Sequence, residues 1–414
     1  MFPIIYKNRS TFKTVYIPVI IYLLISINKI LLIDLVGPSI EVINHMEFSA
    51  KRTDLLRELQ LFQGIIERKN TIPILANILV EANGEKQVNL LATDLEVGLR
   101  SKCIASDVKE GSLTIPAKKL YEIVRALPET NIQIKQGTKG VVKVSADKFD
   151  SRIQTLPRDD FPTLPEAGSG DLIALPREGF REMVTKTQFA ITGEDTRYFL
   201  NGALFILTGD TMSLVATDGH RLARVMVKLK GKKTDEVKAI LPKKTLWELK
   251  TLLGDGDDDI EYENGDNHLF FNVDGRQLIS RVIDAQFPAY ERVIPTGNDK
   301  TVDFDRDKLT SAIKRVALLS SERSRAVKLK IEPNKIDITS SSPEVGEATE
   351  TLPVEYSGDP LDICFNAQYV LDFLGVAGVE TVQLEFKDEM SQAVLKPAGG
   401  TDADYTYVIM PMRV

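Results

Sequence analysis

Two markers recur along this chain at one period, and that recurrence limits the possible folds more than any other property of the sequence. Leu113-Thr114-Ile115-Pro116-Ala117-Lys118-Lys119-Leu120-Tyr121-Glu122-Ile123 returns as Ile240-Leu241-Pro242-Lys243-Lys244-Thr245-Leu246-Trp247-Glu248-Leu249. It returns again, more diverged, as Ile363-Cys364-Phe365-Asn366-Ala367-Gln368-Tyr369-Val370-Leu371-Asp372-Phe373-Leu374. Pro116, Pro242 and Asn366 stand 126 and then 124 residues apart. Leu91-Ala92-Thr93-Asp94, Val215-Ala216-Thr217-Asp218 and Ile338-Thr339-Ser340-Ser341 place Thr93, Thr217 and Ser341 124 residues apart each time. Two independent markers on one beat mean three copies of one domain. The period far exceeds that of short-repeat solenoids, so each copy is expected to own a core. A chain of 414 residues has room for three such domains.

Within each copy the pattern reads helix, strands, helix, strands, an α+β fold. In the first copy Leu55, Leu56, Leu59, Phe62 and Ile66 fall on one face of a 3.6-residue period, with Lys51, Arg52 and Arg57 opposite. In the second, Phe180, Met183, Val184 and Thr187 point inward, leaving Arg177, Arg181 and Lys186 for the outer face. In the third, Leu309, Ile313, Val316 and Ala317 face in and Lys308, Lys314 and Arg315 remain. The second helix of each copy follows the recurring Pro or Asn. Alternating stretches such as Val88–Ala92 and Gln277–Val282 read as strands, and Asn83-Gly84, Asp218-Gly219, Asn264-Gly265 and Asp274-Gly275 as turns.

Composition narrows the chemistry. Two cysteines, Cys103 and Cys364, sit in different copies without a nearby second thiol, which argues against a zinc site or a disulfide framework and for a reducing, cytoplasmic setting. Three histidines (His45, His220, His268) do not cluster. The acidic run Asp255-Gly256-Asp257-Asp258-Asp259-Ile260-Glu261 lacks the spacing of a helix-loop-helix calcium site and reads as a solvated loop. No catalytic constellation, metal site or cofactor is expected. The net charge of −7 argues against a protein that coats nucleic acid indiscriminately, although it says nothing about one face. Basic residues recurring on the helices would, with those helices side by side, gather a positive surface suited to phosphates without reading sequence.

Residues 1–45 stand outside the repeat. Val15–Ile25 is almost unbroken Val, Ile, Leu and Tyr, but Pro18, Lys29 and Asp34 interrupt a full span, short of the ~20 apolar residues a bilayer needs. The segment is read as an upstream stretch before a true start at Met46. A membrane tether is the competing reading.

Thr217-Asp218-Gly219-His220-Arg221-Leu222-Ala223, preceded by Arg197-Tyr198-Phe199-Leu200-Asn201-Gly202, closely resembles the bacterial DNA polymerase sliding clamps, the beta subunits of the replicative polymerase. So do Phe287-Pro288-Ala289-Tyr290-Glu291-Arg292-Val293-Ile294-Pro295 and the terminal Tyr407-Val408-Ile409-Met410-Pro411-Met412-Arg413-Val414. The resemblance spans about residues 46–414 and implies clamp domains at 46–168, 169–295 and 296–414. It implies a head-to-tail homodimer whose six domains ring duplex DNA, helices inside and sheets outside, without chemistry of its own. Its partners would be a replicative DNA polymerase, an ATP-driven clamp loader, and other polymerases and repair factors carrying short clamp-binding peptides.

The family's peptide pocket carries over to Thr217, Gly219, His220, Arg221 and Leu222, to Pro288, Arg292 and Val293, and to Asn366, Tyr369, Val394, Val408, Met410, Pro411, Met412 and Arg413. Leu222, Val293, Met410 and Met412 would offer a soft surface that adapts to several partners. DNA contacts carry over to Arg68 or Lys69, between which Glu67-Arg68-Lys69-Asn70 does not choose, and to Arg197, with Lys243 and Lys244 as weaker candidates. The dimer contact is expected at Leu318 and Leu319, against the Arg152–Leu156 strand of the other subunit.

Overall fold

A computed structural model describes residues 45–413 apart from 67–70, 139, 169–171, 230–233 and 400–402. The N-terminal extension, Arg68 and Lys69 therefore lie outside the described residues.

The three copies share one plan. The first runs β1 (Glu47–Lys51), α1 (Arg52–Ile65), β2 (Asn77–Ala82), β3 (Gln87–Thr93), β4 (Val97–Ile104), β5 (Ser106–Lys109), β6 (Gly111–Pro116), α2 (Ala117–Ala126), β7 (Asn131–Gln136), β8 (Val141–Ala146) and β9 (Phe149–Gln154). The second runs β10 (Ile173–Leu175), α3 (Arg177–Thr187), β11 (Gly202–Gly209), β12 (Thr211–Thr217), β13 (Arg221–Lys228), β14 (Thr234–Pro242), α4 (Lys243–Leu253), β15 (Ile260–Asn264), β16 (His268–Val273) and β17 (Arg276–Arg281). The third runs β18 (Lys300–Asp305), α5 (Arg306–Val316), β19 (Ala326–Glu332), β20 (Lys335–Ser342), β21 (Gly346–Pro353), β22 (Leu361–Asn366), α6 (Ala367–Val376), β23 (Thr381–Phe386), β24 (Ala393–Pro397) and β25 (Asp404–Ile409). Each copy thus opens on a strand, β1, β10 or β18, that the helix-first reading of the sequence omits.

The recurring markers have local causes. Pro116, Pro242 and Asn366 are the residues immediately before α2, α4 and α6. The fixed φ of proline suits the entry to a helix, and the Asn366 side chain instead accepts the Gln368 amide at 2.9 Å. Thr93 and Thr217 end their strands by donating from Oγ1 to the carbonyls of Val97 and Arg221, at 3.0 and 2.6 Å. Asp94 and Asp218 then accept the amides two and three residues on, which closes both hairpins in the same way. Gly219 holds φ at +90°, and its counterpart Leu95 is forced to +81°.

Two eight-stranded sheets cross the domain boundaries. One has the order β10-β15-β16-β17-β4-β3-β2-β6, joining the second copy to the first through β17 and β4. The other, β14-β11-β12-β13-β25-β24-β23-β18, joins the second to the third through β13 and β25. The sheets β5-β1-β7-β8-β9 and β21-β20-β19-β22 end on unpaired strands.

Behind the sheets the helices pack in the order α2-α1-α4-α3-α6-α5, one continuous layer across both boundaries. Its inner side carries Leu55, Leu59 and Phe62 of α1, Phe180, Met183 and Val184 of α3, and Leu309 and Ile313 of α5, all buried as their spacing requires. At roughly 1.5–3 kcal/mol for each such side chain, this burial is what holds helices to sheets. Two basic residues depart from expectation. Arg177 and Lys186 are buried rather than outward. Arg177 reaches the Leu253 carbonyl at 2.6 Å and grips both carboxylate oxygens of Asp274 at 2.9 Å, fixing α3 to the end of α4 and the β16–β17 turn. Lys186 pairs with Glu182 and lies 5.3 Å from the Tyr405 ring, at the boundary with the third copy.

Candidate peptide-binding site at the second domain junction

Strand register assembles an apolar row from three distant segments. Thr217 pairs with Leu222, Leu222 with Val408 across the junction, and Val408 with Val394. Cross-strand partners point to the same side of a sheet, so these side chains share its outer face, away from the helices. Leu222, Val394 and Val408 belong to one buried cluster with Leu204, Ile206, Val215 and Ile240, and Val293 packs against it. The chain after β17 lays Ile283, Ala285, Phe287, Tyr290 and Ile294 along the cluster's edge, and Phe199 closes it from the other side. Beside it, a depression of about 730 Å3 runs between β14 and the segment Ile283–Glu291.

Of the residues expected in the pocket, Leu222, Val293, Val394 and Val408 meet in this cluster. His220 and Met410 stand together at its rim, where the Met410 amide donates to the His220 carbonyl at 3.0 Å. Met410 is 37% exposed. Gly219, Pro288 and Arg292 are exposed around it, and Pro411 is half-buried. The tail then crosses the third copy. The Met412 amide donates to the Cys364 carbonyl at 2.8 Å, and Met412 and Arg413 line a second depression of about 500 Å3 with Cys364 and Met390. Asn366 caps α6 at the Ser324 side of this depression, its amide 3.5 Å from the Ser324 carbonyl. The expected site is therefore two concavities with Met410 and Pro411 between them.

Arg221 has a different setting. Its guanidinium donates to Asp218 at 2.9 Å, to Asp372 at 2.5 Å and to the Phe189 carbonyl at 2.6 Å. It also lies 4.3 Å from the Tyr369 ring centroid and 5.2 Å from that of Phe189. Burial opposes its charge, but the phenol of Tyr407 and the carboxylates of Asp372 and Asp218 raise its pKa further. Arg221 and Tyr369 thus pin the second copy to the third beneath the pocket, and their groups face the interior of the junction.

Sequence reasoning missed Leu204, Ile206 and Ile240. For Leu204 and Ile206 the signal was the unbroken apolar run Ala203–Leu207, and for Ile240 the run Ala239–Leu241, since a strand with both faces covered loses its alternation.

The expected DNA-contacting cations sit differently from one another. Arg197 is half-exposed and donates to Asp195 from Nε and Nη2, at 3.0 and 2.8 Å. Those bonds from the Arg197 side chain and backbone push the Asp195 carboxyl down to about 2. Tyr198 beside it is 67% exposed. Lys243 donates to the Ile191 carbonyl at 3.0 Å, and burial followed by the Arg221 charge lowers its pKa. Lys244 donates to Asp94 and to the Ile65 carbonyl, tying α4 to the first copy. Leu318 is 77% exposed at the 3₁₀ turn after α5, Leu319 is half-buried, and β9, which carries Arg152, forms the edge of its sheet.

Comparison with known proteins agrees with this arrangement along the repeat. Three family models match in order: DNA polymerase III beta subunit, N-terminal domain, over residues 46–165; central domain, over 174–289; and C-terminal domain, over 291–413. The beta sliding clamp of Pseudomonas aeruginosa is 38% identical over 374 residues, covering 89% of this chain and all of that one. The beta sliding clamp of Escherichia coli is 35% identical over 372 residues, with the same coverage. A Pseudomonas aeruginosa sliding clamp crystallised with griselimycin superposes with a TM-score of 0.84 at 38% identity. The Caulobacter crescentus clamp superposes at 0.83 and 35%, and each structure covers 89% of this chain and 100% of its own.

Proposed function

The chain belongs to the DNA polymerase III beta subunit family, the beta sliding clamps, and on that premise we propose that two copies close head to tail into a ring around duplex DNA. It is a processivity subunit of DNA replication, without catalysis of its own. In this reading the junction pocket receives short apolar peptides from the replicative polymerase and from other polymerases and repair factors. An ATP-driven loader opens the ring.

The observation that carries the ring is the fate of the sheet edges. Both boundaries inside the chain are built by pairing an edge strand of one copy with that of the next. Among the free edges, β9 of the first copy holds the place that β17 and β25 hold in theirs, and β21 of the third copy the place of β4 and β13. Exposed sheet edges are a liability that proteins cover or close. Pairing β9 of each protomer with β21 of the other repeats the internal joint twice more, and Leu318 and Leu319 would supply its apolar contact. A head-to-tail interface of this kind closes after two copies when each contributes half the turn.

Encirclement explains how weak contacts suffice. Arg197 and either Arg68 or Lys69 would touch phosphates without reading bases, which leaves the ring free to slide. A polymerase seated in the pocket rebinds as a tethered partner, at a high local concentration of primer ends. The test is retention of protein beginning at Met46 on circular and linearised DNA after loader-assisted assembly. Retention on closed circles with rapid loss after a single cut is the expected result; equal retention on both forms would reduce the binding to surface attraction and end the ring reading.

A further inference from the structure

The first domain junction repeats the geometry of the second, strand for strand. Thr93 pairs with Gly98, Gly98 with Ile279, and Ile279 with Phe270. That row corresponds to Thr217, Leu222, Val408 and Val394. The rim bond recurs too: the Arg281 amide donates to the Glu96 carbonyl at 2.8 Å, as Met410 does to His220. A second copy of the apolar pocket is therefore laid out between the first and second domains. It differs in what fills it.

Where the second junction has Leu222, the first has Gly98, which leaves a space over the row, and Leu164 of the connecting segment lies in that space. A Cβ built on Gly98 would overlap the Leu164 Cδ2. Leu164 is 5% exposed and Phe161, three residues earlier, 3% exposed; both belong to the cluster over Ile279 and Phe270. The segment is also strapped down. Arg100 donates to the Leu164 carbonyl at 3.1 Å and to both carboxylate oxygens of Glu166, at 2.7 and 2.8 Å. Among the described residues, Arg224, at the same register in the second junction, makes no such grip and lies 3.7 Å from Asp404. Phe161-Pro162 and Phe287-Pro288 stand 126 residues apart, so both segments are repeats of one connector. Where the first sinks Leu164 into its row, the second carries Tyr290, half-buried at the edge of its cluster.

We propose that the first junction holds a second apolar-peptide site, kept shut by Leu164 acting as a ligand built into the chain, so that each protomer presents one open pocket. The inference rests on the second junction being the partner pocket, and it adds the chemistry such a seat accepts: a leucine three residues after an aromatic, followed by a carboxylate within reach of Arg100. A vacated seat would bind the same segment supplied from outside.

The experiment uses the heptapeptide Asp-Phe-Pro-Thr-Leu-Pro-Glu, the sequence of residues 160–166, carrying a fluorophore. Leu164→Ala is expected to bind one more such peptide per chain than the wild type, with hydrogen exchange locating it over β4 and β17. An equal number bound by both would overturn the proposal. Gly98→Ala provides a second approach, because its methyl group displaces the Leu164 side chain while the connector keeps its own sequence. Amides of residues 160–167 should then exchange at least tenfold faster; unchanged protection would overturn the proposal as well. Failure of the pocket reading shows differently, as a wild-type chain that binds no partner peptide over Leu222 and Val408.

Discussion

Arg221, expected among the pocket residues, has its bonding capacity taken up within the junction itself. Its side chain is 9% exposed, with every direction of the guanidinium occupied by a carboxylate, a carbonyl or an aromatic face. Removing one partner of a buried ion pair leaves the other charge uncompensated, at a cost of about 3–5 kcal/mol. Arg221→Ala should therefore destabilise the second and third domains by that order, read as a lower urea midpoint at unchanged m-value. Arg221→Lys should recover only part of it, because a point charge cannot replace a planar fork. A denaturation series on the three proteins checks this, and an unchanged midpoint in Arg221→Ala would remove the pin. That this arginine stands after Thr-Asp-Gly-His is legible in the sequence; that it turns inward is not, since Asp372 lies 151 residues away.

At the scale of elements, the same logic holds the first junction. Glu58 of α1 is 2% exposed and accepts from Arg276 of β17 at 2.7 and 2.8 Å, with further bonds from Ser101 and Arg57. Burial pulls its pKa upward, but Arg276, Ser101 and Arg57 outweigh that and hold it below the ordinary carboxylate value. A depressed carboxylate stabilises the fold above its unfolded pKa, about 4.3, and the contribution is lost as pH falls through the lower folded value. The urea midpoint of the wild type should thus fall steeply below about pH 4. Glu58→Gln should start lower at neutral pH and show a shallower acid limb; parallel limbs would place the acid sensitivity elsewhere. The periodicity of Leu55, Leu59 and Phe62 announced α1, while Glu58 among them gave no sign of a partner 218 residues away. The short strands β1, β10 and β18 escaped notice because three to six residues carry too little alternation to stand out.

For the molecule as a whole, the proposed ring depends on a surface that the isolated chain leaves bare. Leu318 is 77% exposed and lies at the end of the repeat opposite β9. Leu318→Asp should convert a two-chain particle into a one-chain particle in sedimentation at micromolar concentration. The melting of the individual domains should be unchanged, because an exposed side chain holds no core. A dimer that survives the substitution would move the interface away from the α5 terminus. No helix among the described residues is long and apolar enough to cross a membrane.

What the sequence determined by itself was the plan repeated three times. Pro116, Pro242 and Asn366 mark helix entries, Thr93 and Thr217 close hairpins, and apolar residues at helical spacing choose the buried faces. Each of these depends on hydrogen bonds and sterics within a few residues, so each is written locally. Tertiary structure alone decided which strand edges meet, that Leu222 lies beside Val408 and Val394, that Arg177 and Lys186 are buried, and that Leu164 fills the space above Gly98. Those outcomes join residues far apart in the chain, and side chains at such separations carry no local pattern that announces one another. A glycine at position 98 is one more small residue until the fold brings a leucine over it.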